Sequence, residues 1–190
     1  MHSPTKLLRP FLAWLLVLPL SLAACGDDST SDPSGEGGGV AAADLDMTEA
    51  DFDCILTWPQ VRLFRITNKL GDEDASVAVA NAPGTADYPV GTVIQLIPNE
   101  ASVKRRAGFS AATNDWEFFL LETETGSTTI TSRGTTDVSN AIGTCFSCHS
   151  MAEPKFDLVC EKGRGCDPLP VSDDVVLMAQ QADPRCAAVP

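Results

Sequence analysis

The sequence predicts an α+β fold, mainly an antiparallel β-sheet with a few helices. Three observations predict it. Short runs rich in β-branched and aromatic residues recur upstream of Cys145, bounded by Pro, Gly and Asn. Gly, Thr and Pro interrupt the chain too often for the long 3.6-period segments of a four-helix bundle. The string Cys145-Phe146-Ser147-Cys148-His149 comes late and needs a turn of helix for its spacing to work.

The first element is an export signal. Lys6 and Arg9 form a basic start, residues 11–22 (FLAWLLVLPLSL) an apolar stretch, and Ala23-Ala24 a small-residue site before Cys25. Twelve apolar residues fall short of the ~20 needed to span a bilayer. Leu22-Ala23-Ala24-Cys25 resembles the bacterial lipoprotein signal, which predicts removal of residues 1–24 and acylation of Cys25. The alternative is an ordinary cleaved signal with an incidental cysteine. A lipid anchor gains ~0.8 kcal/mol per buried CH₂. Residues 25–43, rich in Gly, Ser and Asp after the cysteine, cannot bury enough surface to offset chain entropy and read as a flexible tether. The folded domain is expected over residues 44–190.

Within it, residues 61–67 (VRLFRIT), 90–97 (VGTVIQLI) and 117–123 (EFFLLET) are expected strands. Residues 127–132 (STTITS) fit an edge strand, and residues 76–80 a weaker one. Residues 172–182 (SDDVVLMAQQA) are an expected helix: Ser172 caps it, Asp173 and Asp174 favour its first turn, and Asp183-Pro184 stops it. Val175, Val176, Met178 and Ala179 are its expected core-facing stripe.

Charge excludes one class of function. Acidic residues outnumber basic ones 26 to 13. The only basic cluster is Lys104-Arg105-Arg106, so no stripe exists to meet a phosphate backbone, and nucleic acid is not an expected partner. Signal removal takes away two positive charges, Lys6 and Arg9, and no negative one, moving the formal net charge from −13 to −15. Such a surface suits a basic redox partner protein.

The chain has seven cysteines and two histidines. Export puts them where disulfides persist. Setting aside Cys25 and the Cys145/Cys148 pair leaves Cys54, Cys160, Cys166 and Cys186, with three connectivities. Gly163 and Gly165 would let Cys160 and Cys166 close a small loop, and Cys54 with Cys186 would then tie the domain ends.

In an exported chain, C-x-x-C-H reads as covalent attachment of one haem c. Two thiols add across the vinyl groups, and the histidine after the second lies beneath the iron as its proximal ligand. Cys145, Cys148 and His149 are therefore the expected cofactor site, with His149 on the metal. The competing readings are a thioredoxin-like pair, a zinc site from Cys145, Cys148, Cys160 and Cys166, and a structural disulfide. His149 is the only histidine left after signal cleavage, so a haem ligand here leaves none for a Ser-His-Asp triad. For a sixth iron ligand Met151 is too close, which leaves Met178 and Met47. If either binds, the protein is an electron carrier; if neither does, the iron is open.

Four segments in order carry a family resemblance. They are residues 88–94 (YPVGTVI), 99–109 (NEASVKRRAGF), 115–119 (DWEFF), and Cys145 to His149 followed by residues 156–159 (FDLV). Together they span roughly 70 residues and resemble the cytochrome P-460 family, which includes cytochrome c′-beta. The resemblance implies a mostly β, often dimeric fold. It implies one haem c on Cys145, Cys148 and His149, with a five-coordinate iron facing a small pocket that takes nitric oxide or other small nitrogen species. Crosslinked members oxidise hydroxylamine and carry a lysine where this chain has Leu96, which disfavours that reaction here. Phe109, Phe118 and Phe119 are candidate walls of the distal pocket, with plain core as the alternative. Glu100 and Lys104 are read as solvated loop charges, with a polar distal role as the alternative.

Overall fold

The structure is a computed structural model and describes residues 44–124 and 126–186. The export signal, Cys25 and the tether lie outside the described residues. Among the described residues no helix is long and apolar enough to cross a membrane.

The fold is α+β, built on one six-stranded antiparallel sheet whose strands lie in chain order. They are β1 (Gln60–Val61), β2 (Phe64–Asn68), β3 (Thr92–Gln95), β4 (Glu100–Lys104), β5 (Trp116–Glu122) and β6 (Thr129–Gly134). Helix α1 (Glu73–Asn81) connects β2 to β3, while α2 (Cys145–His149) and α3 (Asp173–Gln181) follow the sheet. The expected strand over residues 61–67 is two strands, because Arg62 takes a left-handed conformation between them.

Residues 76–80, expected as a weak strand, lie inside α1. The β-branched run SVAVA suggested alternation, but the acidic residues Glu73 and Asp74 favour a helix N-terminus. Ser76 and Ala80, one helical turn apart, are its buried face. Strand β4 was expected as loop. Its alternation is real but inverted in polarity: Ala101 and Val103 face one side, and Glu100, Ser102 and Lys104 the other.

Both faces of the sheet are covered. Paired positions Ile66, Ile94, Ser102, Phe118 and Gly134 form a row on the first face. There Phe64, Ile66, Ile94, Trp116 and Phe118 pack with Tyr88, Val138 and Val159. On the second face Val93, Ala101, Val103, Phe119 and Leu121 pack with Met47, Phe52, Ile55 and Trp58. The N-terminal segment is fastened to that second face by charge. Buried Arg105 joins Glu117 and Asp44, and Arg133 bonds both Glu117 and the carbonyl of Met47. The Lys104-Arg105-Arg106 cluster is therefore no exposed basic patch, since its first two members are buried in ion pairs.

Disulfides Cys54–Cys186 and Cys160–Cys166 form. Beside the first, the Ile55 N–H donates to buried Asp183, and Arg185 bonds Asp183 and the Phe52 carbonyl.

The stripe expected on α3 is corrected. Val176 and Gln180 are buried, whereas Val175 and Met178 are exposed. The reason is Gln180, whose amide donates to the carbonyls of Leu63 and Leu96 and accepts from Arg65. Satisfying those carbonyls at the sheet margin turns Gln180 inward and Met178 outward.

Candidate functional site

Helix α2 starts at Thr144, whose Oγ1 accepts the Ser147 N–H at 3.1 Å. The Cys145 N–H donates to Val138 at 2.9 Å, tying the helix to the chain that leaves β6. A tight loop precedes it: Asn140 Oδ1 accepts from the N–H groups of Ile142 and Gly143, and its Nδ2 donates to Glu100 on β4 at 2.7 Å. The helix is thereby seated on the first face of the sheet.

Cys145, Cys148 and His149 stand at i, i+3 and i+4, which puts all three on one helical face. Both thiols are free; Cys145 is half-buried and Cys148 exposed. Burial, and then the Glu100 carboxylate, push the Cys145 thiol up to about 11.

His149 lies against the sheet, its ring centroid 4.9 Å from that of Phe118. Its Nδ1 is 2.8 Å from the Leu158 carbonyl oxygen. A carbonyl only accepts, so Nδ1 carries the hydrogen and donates, leaving the lone pair of the neutral ring on Nε2. Burial lowers the imidazole pKa, and the bond to Leu158 offsets that only in part. Among the described residues Nε2 has no hydrogen-bond partner.

This donor set fits haem c. It offers two free thiols on one turn of helix, and beside them a neutral imidazole whose tautomer and orientation are fixed through its other nitrogen. The alternatives fit less well. A four-sulfur zinc site is broken because Cys160 and Cys166 are joined to each other. Among the described residues no group of three or more His, Cys, Asp or Glu side chains is placed to hold a metal ion by itself. A thioredoxin-like pair needs a thiol of lowered pKa after a strand, whereas Cys145 is raised and follows a loop.

Comparison with models of protein families, with curated proteins and with solved structures returns no match.

Of the expected distal aromatics, only Phe118 reaches the site, and it packs on the histidine itself. Phe119 faces the other side of the sheet, 5.2 Å from Phe52. Phe109 lies under the Arg105 guanidinium, away from α2. Leu96 packs in the same cluster as Cys145 and Phe146. Glu100 and Lys104 are strand residues of the first face, not solvated loop charges. Met47 is 1% exposed in the core beneath the opposite face, so the sheet separates it from His149. Met178 is 59% exposed on α3.

The partner of His149 carried no assigned role in the sequence reading. Asp157 and Leu158 both take left-handed conformations, with φ of 51° and 57°, and these aim the Leu158 carbonyl at the ring. Asp157 is 1% exposed. It accepts from Lys104 Nζ at 2.7 and 2.9 Å, from Asn114 Nδ2 at 2.5 Å and from the Tyr88 N–H at 2.8 Å. Trp116 Nε1 donates to its carbonyl at 2.8 Å. A lone aspartate inside Phe156-Asp157-Leu158-Val159 was the available signal, because an acid in an apolar run must find buried donors.

Proposed function

We propose that this chain is a mono-haem c-type cytochrome, similar to the P-460 family, with haem attached to Cys145 and Cys148 and its iron bound by His149. The observation that carries this reading is the bond from His149 Nδ1 to Leu158 beside two free thiols at i−4 and i−1. It leaves Nε2 as the free donor atom, as a haem ligand requires. Haem c, once attached, supplies an iron that exchanges electrons and binds small ligands. The chain's own residues hold the ring: Phe118 packs its face, Leu158 fixes its proton, and α2 presents the thiols.

The reading extends to an open iron site for a small ligand such as nitric oxide. The burial of Met47 beneath the opposite sheet face and the exposure of Met178 support it. The rival is an electron carrier closed by Met178. Removal of residues 1–24 and acylation of Cys25 would anchor the protein outside the inner membrane, where haem c is assembled.

Production of the full chain with a haem c assembly system tests all of this. Peptides containing Cys145 and Cys148 should carry one haem mass, lost in Cys145→Ser/Cys148→Ser. A broad high-spin spectrum that shifts with carbon monoxide or nitric oxide supports the open site, and sharp low-spin bands indifferent to ligand support the carrier. No haem mass on the wild-type peptide sinks the proposal.

A further inference from the structure

The site rests on a buried ion pair whose place in the fold suggests a second task. Lys104 leaves β4 on the first face of the sheet, and Asp157 lies 53 residues later in the chain. Both are buried, and no solvent charge is needed to neutralise either. A buried pair adds little net stability over apolar packing of the same volume, so stability alone is a weak reason for this one. Its geometry offers a better reason. Asp157 sits in a left-handed conformation, and the next residue, also left-handed, turns its carbonyl onto His149. Leucine seldom adopts that conformation, so the surroundings must hold it there. Hydrogen bonds from four residues do so. Lys104, Asn114 and the Tyr88 N–H grip the Asp157 carboxylate, and Trp116 Nε1 grips both the carboxylate and the backbone carbonyl.

We infer that the Lys104–Asp157 pair is the positioning device for His149: it locks the Asp157-Leu158 turn, so that the Leu158 carbonyl holds the imidazole in the Nδ1–H tautomer with the lone pair left on Nε2. The pair touches neither the ring nor any bound group, and acts through one backbone carbonyl. In Asp157→Asn an amide N–H₂ faces the Lys104 ammonium or the Asn114 amide, donor against donor, while asparagine still tolerates the left-handed backbone. The turn is then held by fewer bonds. The consequence for iron chemistry rests on the function proposed above, but the tautomer itself does not.

The test has two readouts. The first uses the full chain produced without haem assembly, where ¹⁵N resonances of the His149 ring report its tautomer. Wild type should show one Nδ1–H tautomer. Asp157→Asn, and the double variant Lys104→Met/Asp157→Asn that leaves no unpaired buried charge, should show a mixture of tautomers. Glu117→Gln, a buried ion-pair partner on the opposite sheet face, should retain the wild-type signature and so controls for general destabilisation. A folded double variant with the wild-type tautomer overturns the inference. So does a loss of the tautomer in Glu117→Gln as large as in the Asp157 variants.

The second readout uses haem-loaded protein and the iron–histidine stretching band. Weaker donation from Nδ1–H to Leu158 lowers ligand basicity, so the band should fall in frequency in both Asp157 variants and stay fixed in Glu117→Gln. Absence of haem on wild type, with the tautomer effect intact, would sink the proposed function and leave the positioning role standing.

Discussion

Phe118 and His149 meet at 4.9 Å between ring centroids, inclined at 53°. One residue belongs to a cross-strand row and the other ends the C-x-x-C-H string, so the site is docked on the sheet through an aromatic contact. Phe118→Ala removes a fully buried ring at that point and is expected to cost about 3–5 kcal/mol. Urea unfolding measures the loss. The His149 ring protons should also shift, because the neighbouring ring current is gone; unshifted resonances would mean that the two rings do not meet in solution.

The two disulfides should differ in their effect. Cys54–Cys186 spans 132 residues and Cys160–Cys166 only 6. In the chain-entropy account, closing the longer loop is worth about 5 kcal/mol and the shorter about 2. Cys54→Ser/Cys186→Ser should therefore lower the unfolding free energy more than Cys160→Ser/Cys166→Ser does. The shorter bridge has a local task. Its loop abuts the segment after α2, where Gly165, at φ 98°, sits so close that a Cβ would come within 2.6 Å of the Met151 carbonyl. Opening it should change the surroundings of His149 more than the global stability; equal losses from the two pairs would contradict this.

What was legible in the sequence follows from how local each signal is. The attachment string is legible because its chemistry needs five consecutive residues. Strands β3 and β5 are legible because apolar runs buried on both faces leave little ambiguity. Strand β4 was hidden because its polar face, half-buried Glu100 and buried Lys104, is neutralised or bonded by residues far along the chain, Asn140 and Asp157. Alternation rules read such positions as solvent-facing. In α1 the available signal was the acidic first turn of Glu73 and Asp74, which lies just ahead of the residues 76–80 expected as strand. No local pattern could foretell that Leu158 would lend its carbonyl to His149, since that bond depends on backbone dihedrals fixed by a network 43 to 69 residues away.

Acid should loosen the N-terminal clamp in a defined window. Burial pushes the Asp44 carboxyl up, but hydrogen bonds from Arg105 and from the backbone N–H groups of Arg106 and Leu45 outweigh it and hold the pKa at about 2, against 3.8 ordinarily. A carboxylate depressed on folding contributes fully above its unfolded value, and that contribution disappears as pH falls through the folded one. Wild type should thus exceed Asp44→Asn in stability at pH 6. The gap should close between about pH 4 and pH 2. Denaturant curves across that range decide it, and a gap that stays constant would place the contribution elsewhere than in the charge.

The two methionines give opposite expectations, and together they decide the state of the iron. Met47 is packed with Phe52, Phe119 and Leu121 beneath the second face. Met47→Ala should cost about 2–5 kcal/mol and leave the visible spectrum of haem-loaded protein unchanged, since the whole sheet separates that side chain from His149. Met178 is 59% exposed on a helix tied to the sheet margin through Gln180. Met178→Ala should therefore shift stability by no more than about 0.5 kcal/mol. If the iron is open, its spectrum also stays high-spin and still responds to carbon monoxide. Conversion of a low-spin wild type to high-spin by Met178→Ala alone would identify Met178 as the sixth ligand. The protein would then be an electron carrier, and the small-ligand reading would fall.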